Sequence, residues 1–166
     1  MIDFNNTGSI RDYGFVGFYR IQNLQGNANL IPKIRGIYFV ISDHSIEPEF
    51  LSIGTGGHFK GRNPNVEIIR LRENWVQDTK VLYIGKAGGG ESSATLQSRV
   101  RQYLGFGNGK PVGHWGGRFI WQIKNSDDLI FCWKPLPEED PRAVEKILIQ
   151  DFYSHYGKLP YANLTY

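Results

Sequence analysis

The sequence holds a single cysteine. One cysteine cannot close an internal disulfide, so a cystine-stapled fold is excluded, and so is a zinc site built on several thiolates. Cys132 lies in the apolar run Leu129-Ile130-Phe131-Cys132-Trp133, which gives it the role of a small buried hydrophobe. No stretch is long and apolar enough to span a bilayer. The first residues are polar (Asp3, Asn5, Asn6) and lack the basic-then-apolar form of a secretory signal, so the cytoplasm is the expected compartment. Internal repeats and low-complexity tracts are absent. Net charge is small as well: 19 Lys and Arg against 16 Asp and Glu leave +3. That permits a polyanionic partner without demanding one.

What the chain does have is length for one core and many rings. Its 166 residues suit a single domain over 1–166, and four Trp, nine Tyr and ten Phe predict an aromatic-rich interior or contact surface. The basic residues Lys86, Arg99, Arg101, Lys110 and Arg118 fall in one stretch opposed only by Glu91, whereas Glu138, Glu139 and Asp140 cluster further on.

Residues 1–33 show no clear period. Gly36-Ile37-Tyr38-Phe39-Val40-Ile41 reads as a packed strand, and Val81 to Gly85 as a second. Between them, 45–80 is a long insertion with a glycine-rich middle and a short helix or irregular piece at Glu67 to Trp75. Ser92 or Ser93 is expected to cap a helix carrying Leu96, Val100, Tyr103 and Leu104, with Gly105 stopping it. Arg118 to Ile123 and Leu129 to Trp133 read as two strands of a hairpin around Asn125-Ser126-Asp127-Asp128. Asp140 caps a last helix with Pro141 at its first position, and Gly157 and Pro160 close it. Helices beside a small antiparallel sheet make an α+β domain.

Gly36-Ile37-Tyr38 and Tyr83-Ile84-Gly85-Lys86-Ala87 are followed by Leu96-Gln97-Ser98-Arg99-Val100, by Glu145-Lys146-Ile147-Leu148-Ile149 and by Tyr161-Ala162-Asn163. In this order the segments resemble the GIY-YIG nuclease family. The resemblance covers about 35–164. A group of small bacterial members also shares segments like Gly56-Gly57-His58-Phe59-Lys60-Gly61 and Gly113-His114-Trp115-Gly116-Gly117-Arg118. The chain departs from the family in the long insertion between Tyr38 and Tyr83, and in the extra Ala162 before Asn163.

The resemblance implies a GIY-YIG fold, with a small antiparallel sheet flanked by helices, and a metal-dependent endonuclease that hydrolyses phosphodiesters, in DNA with RNA also open. It implies a catalytic set of Tyr38, Tyr83, Lys86, Arg99, Glu145 and Asn163. A carboxylate is a hard ligand suited to one Mg²⁺ or Mn²⁺, which places the metal on Glu145. A planar guanidinium holds two phosphate oxygens, which suits Arg99. Tyr38 would take a proton from the attacking water, with Tyr83 beside it. A phenol with a pKa near 10 is a weak base at neutral pH and needs a neighbouring cation, for which Lys86 and the metal are the candidates. Lys86, Arg101, Lys110, His114 and Arg118 are the expected nucleic-acid contacts.

Each residue also has a plainer reading. Arg99 could be a solvated helix arginine, Tyr38 a core tyrosine, Lys86 a loop lysine, and His58 and His114 packed loop residues. At the level of the whole chain, the alternatives are a non-catalytic nucleic-acid-binding module on the same fold and a structural or protein-interaction domain. The sequence leaves oligomeric state open.

Overall fold

A computed structural model describes residues 1–165. In chain order its regular elements are α1 (Thr7–Asp12), β1 (Val16–Arg20), α2 (Ile21–Leu24), β2 (Gly36–Ile41), α3 (Ile68–Asn74), β3 (Val81–Ala87), α4 (Leu96–Gly107), β4 (Ile130–Pro135) and α5 (Pro141–Tyr156), with short 3₁₀ turns between. The strands form one sheet in the order β1-β4-β2-β3, every pair antiparallel. The architecture is therefore α+β, as the sequence predicts.

The sheet is buried on both faces because successive residues of its central strands feed two separate cores. Ile37, Phe39 and Ile41 point to one side and pack with Phe4, Phe15, Leu148, Ile149 and Phe152. Tyr38 and Val40 point to the other and pack with Val100, Tyr103, Phe131 and Trp133. This is the period of two expected of a strand. The first face is covered by α5 and the N-terminal segment, the second by α4, the insertion and the chain from Arg118 to Leu129.

The glycines of the two motif strands are required by close approach. Gly36 lies against the carbonyl of Lys134 on β4, and a methyl there would overlap that oxygen. Gly85 pairs with Tyr38 across β2 and β3, and the Tyr38 ring lies over it, so a Cβ at Gly85 would collide with Cζ and the hydroxyl.

Several local expectations are corrected. Residues Arg118–Gln122 form a 3₁₀ turn rather than a strand. A hairpin there had no place to pair: β4 is flanked by β2 on one side and on the other by β1, which comes from the N-terminal arm where no period is visible. The turn instead anchors the insertion. The Gln122 side chain accepts from the Val66 amide at 2.9 Å and donates to the carbonyls of Leu51 and Val66. Helix α4 starts after Thr95, whose hydroxyl accepts from the Ser98 amide while Ser98 returns the bond, so a capping box wins over Ser92 and Ser93. It also runs through Gly105 to Gly107. A helical glycine costs only about 1 kcal/mol, and the Trp121 ring packs directly on Gly107. The expected short helix in the insertion is α3, and α5 has its Asp140 cap, Pro141 at its start and a left-handed Gly157 at its end. Cys132 is fully buried. No helix among the described residues is long and apolar enough to cross a membrane.

Candidate functional site

Tyr38 and Tyr83 stand on adjacent strands and face the same side of the sheet, with ring centroids 6.0 Å apart in an edge-on arrangement. Both are buried, Tyr38 at 1 % exposure and Tyr83 at 8 %. Burial raises the pKa of Tyr38 well above 10 and that of Tyr83 to about 12. The Arg99 cation pulls both down and the Glu145 carboxylate pushes both up, so charges from α4 and α5 act on one pair of phenols. Neither phenol is ionised at neutral pH.

The partner of the Tyr38 hydroxyl is His114, whose Nε2 lies 2.9 Å away. His114 comes from the glycine-flanked loop before the 3₁₀ turn, has no exposed surface and stacks on Tyr103 with centroids 4.0 Å apart. Its Nδ1 is 2.8 Å from the Gly116 carbonyl oxygen. A carbonyl only accepts, so Nδ1 carries the proton and Nε2 is left bare to accept from Tyr38. Burial, then the Arg99 charge, lowers the His114 pKa to about 3 and keeps the ring neutral. The expectation that His114 contacts nucleic acid is therefore corrected. It is an interior residue bonded to Tyr38, and nothing in a Gly-His-Trp-Gly-Gly loop signals such burial.

Lys86 and Glu145 meet as an ion pair, with Nζ 3.0 Å from Oε2. It joins β3 to α5. Lys86 is thus engaged with a carboxylate, and the cation that acts on Tyr38 is Arg99. Arg99 donates to Gln102 Oε1 at 2.7 Å and leans toward the Gly113 carbonyl. Lys86, Arg99 and Arg142, together with Gly88, Gly89, Ser92 and Ala94, line a cleft of about 420 Å³. Arg142, in the first turn of α5, escaped the sequence reading. It is a lining cation in a turn where dipole arguments favour acids.

Whether a divalent ion suits this place depends on its donors. Among the described residues no group of three or more His, Cys, Asp or Glu side chains is placed to enclose one. A magnesium ion, however, keeps much of its water and takes remaining oxygens from substrate phosphates, so one carboxylate can serve. Glu145 fits that part. The Lys86 ammonium already sits on Oε2 where a cation belongs.

The remaining expected residues lie elsewhere. Arg101 and Lys110 line a separate hollow with Leu24, Gln25 and Asn108. Arg118 packs on Trp115 and Phe119. Asn163 does not enter the cleft. Its Oδ1 accepts from the Ile84 amide and its Nδ2 donates to the Ile84 carbonyl, each at 2.9 Å. Both ends of the amide are spent on the strand between Tyr83 and Gly85, so its role is to hold that strand. Asn163→Ala is expected to cost about 1–3 kcal/mol of stability, because a buried N–H and C=O lose their partners. Urea denaturation reads this out. Activity measured well below the melting temperature should stay within severalfold of wild type, and a stable but inactive variant would return Asn163 to the reacting centre.

In comparisons with known proteins, no protein-family model, no curated protein and no solved structure matches the chain.

Proposed function

We propose that the chain is a metal-dependent endonuclease of the GIY-YIG type that hydrolyses phosphodiester bonds, with DNA as its substrate and the cytoplasm as its setting. The observation that carries this reading is a convergence. Lys86 from β3 and Arg99 from α4 line one basic cleft with Arg142. Glu145 of α5 is tied to that cleft through its ion pair with Lys86, and the buried phenols of Tyr38 and Tyr83 feel the charges of both Arg99 and Glu145.

Phosphodiester hydrolysis needs a deprotonated water, compensation of phosphoryl charge and help for the leaving oxygen. Arg99, Lys86 and Arg142 supply positive charge to phosphate oxygens. The Tyr38 hydroxyl donates to His114 and lies beside the Tyr83 hydroxyl. His114 Nε2, with its pKa lowered to about 3, takes up no proton at neutral pH, so Tyr38 serves as a positioned hydroxyl behind the cleft and not as the final base. The proton of the attacking water would leave to solvent once a divalent ion had lowered the pKa of that water. A divalent ion held by Glu145, waters and a substrate phosphate would supply Lewis-acid stabilisation.

Supercoiled plasmid, linear duplex, branched DNA and RNA, each incubated with Mg²⁺ or with chelator, test the proposal. Nicking or cutting of DNA that needs the ion is the expected result. Binding without cleavage on every substrate would leave the non-catalytic nucleic-acid-binding module in its place.

A further inference from the structure

Arg62, Arg70 and Arg118 gather over two aromatic rings outside the cleft. The Arg62 guanidinium carbon lies 4.4 Å from the centre of the Trp115 ring, and that of Arg118 lies 4.5 Å from the same ring. Arg118 also reaches the Phe119 ring at 5.4 Å, and Arg70 approaches Phe119 at 5.3 Å. Arg62 and Arg70 are exposed, and Trp115 and Arg118 are half-buried. None of the three arginines belongs to the ion pairs found among the described residues, which are Arg20–Asp43, Lys86–Glu145 and Lys124–Glu49. Glu67 and Glu73, which bracket Arg70 in sequence, form no ion pair with it there.

Such an array is costly by itself. Burial, then Arg70 and Arg62, pull the Arg118 pKa down to about 10, which registers the mutual repulsion. The rings offset part of this by cation–π attraction and hold the guanidinium planes, so little side-chain entropy is lost when a ligand arrives. Anionic oxygens regularly spaced along a surface would relieve the repulsion. A ring already engaged by two guanidiniums is a poor platform for a nucleobase, which favours contact with phosphate over stacking.

Position gives the array its meaning. Arg62 and Arg70 belong to the 45–80 insertion, and Trp115 and Arg118 to the loop that carries His114. One side of that loop turns inward to Tyr38, the other presents the half-buried Trp115 ring, and the buried Phe119 ring backs Arg70 and Arg118.

We propose that the insertion exists to complete a phosphate grip: Arg62, Arg118 and Arg70, held on Trp115 and Phe119, bind the sugar–phosphate backbone of duplex DNA beside the cleft. This rests on the nuclease reading for the identity of the polyanion. It assigns the insertion to backbone contact, independent of base sequence.

Binding of a short labelled duplex, measured in chelator across a range of salt, tests it. Arg62→Ala with Arg118→Ala should lower affinity by about tenfold or more on duplexes of unrelated sequence. The slope of log affinity against log salt should flatten by about 2, one unit for each lost phosphate contact. Arg62→Ala alone, which leaves the half-buried Arg118 in place, should flatten it by about 1 and keeps the test decisive if the double variant melts. A folded double variant with unchanged affinity and slope overturns this inference alone, while Lys86→Ala with Arg99→Ala still reports on the cleft. A wild-type protein that binds no duplex overturns both this inference and the function on which it rests.

Discussion

Replacing Glu145 by Gln is expected to lower cleavage by about 10³-fold or more while leaving duplex binding intact. The magnitude follows from losing several kcal/mol of charge stabilisation at the phosphoryl group, at about 1.4 kcal/mol per factor of ten. The protein should stay folded. Glutamine and glutamate have similar helix propensities, and the Lys86–Glu145 pair is solvent-accessible enough (36 % and 19 % side-chain exposure) that its loss costs about 0–1 kcal/mol. Binding should hold or strengthen, since a carboxylate facing phosphate is removed and Lys86 is released toward the cleft. The Mg²⁺ concentration needed for residual activity should rise. A variant that cleaves at the wild-type rate would end the assignment of Glu145 as metal ligand. A normal metal requirement with a changed pH profile would instead mean that the carboxylate acts on Lys86.

The second large effect belongs to the buried Tyr38–His114 pair. Tyr38→Phe is expected to reduce cleavage by about 10²–10³-fold, the range for losing one positioned hydrogen-bonding group, and to cost about 1–3 kcal/mol because His114 Nε2 loses its donor. His114 also gives the fold a pH dependence whose sign is fixed. Its pKa falls from an ordinary 6.5 to about 3 in the folded chain. Between those values the unfolded chain binds more protons, so stability rises with pH there. The contribution of a neutral His114 is complete above about pH 6.5 and drains away as pH falls toward 3. Thermal melts of wild type and His114→Gln between pH 7 and pH 4 should show the wild type losing stability more steeply. Parallel curves would mean that His114 is not a buried neutral base. A Tyr38→Phe protein within severalfold of wild-type activity would remove Tyr38 from the reacting centre.

Much of this was legible in the sequence where the cause is local. Strands β2 and β3 announce themselves by β-branched and aromatic residues, and α5 by Asp140, Pro141 and Gly157, because the groups that start and stop these elements are neighbours in the chain. Misreadings occurred where distant contacts decide. The apolar run from Phe119 to Ile123 is buried throughout, and burial on every side does not distinguish a strand from a tight turn. Strand β1 is broken by a positive φ at Phe18 and a register shift, which erase its alternation. His114 gains its role from Tyr38, 76 positions away. The separation of Arg101 from Arg99 could have been anticipated, since two positions along a helix turn a side chain by about 200°. Asn163 occupies a motif position, and only its bonds to Ile84 reveal that it serves the strand.

Those bonds also bear on how the molecule behaves in a crowd. Strand β3 ends the sheet, and an unprotected strand there would offer its outward amides and carbonyls to any extended chain. The tail from Ala162 to Asn163 takes the middle of that edge: the Ala162 amide donates to the Leu82 carbonyl, and the Asn163 side chain occupies both polar groups of Ile84. At the opposite limit, β1 is short and kinked at Phe18, which spoils it as a template. Along the middle of β3, then, an incoming strand meets backbone groups that are already paired, and a strand approaching β1 meets a short, kinked template.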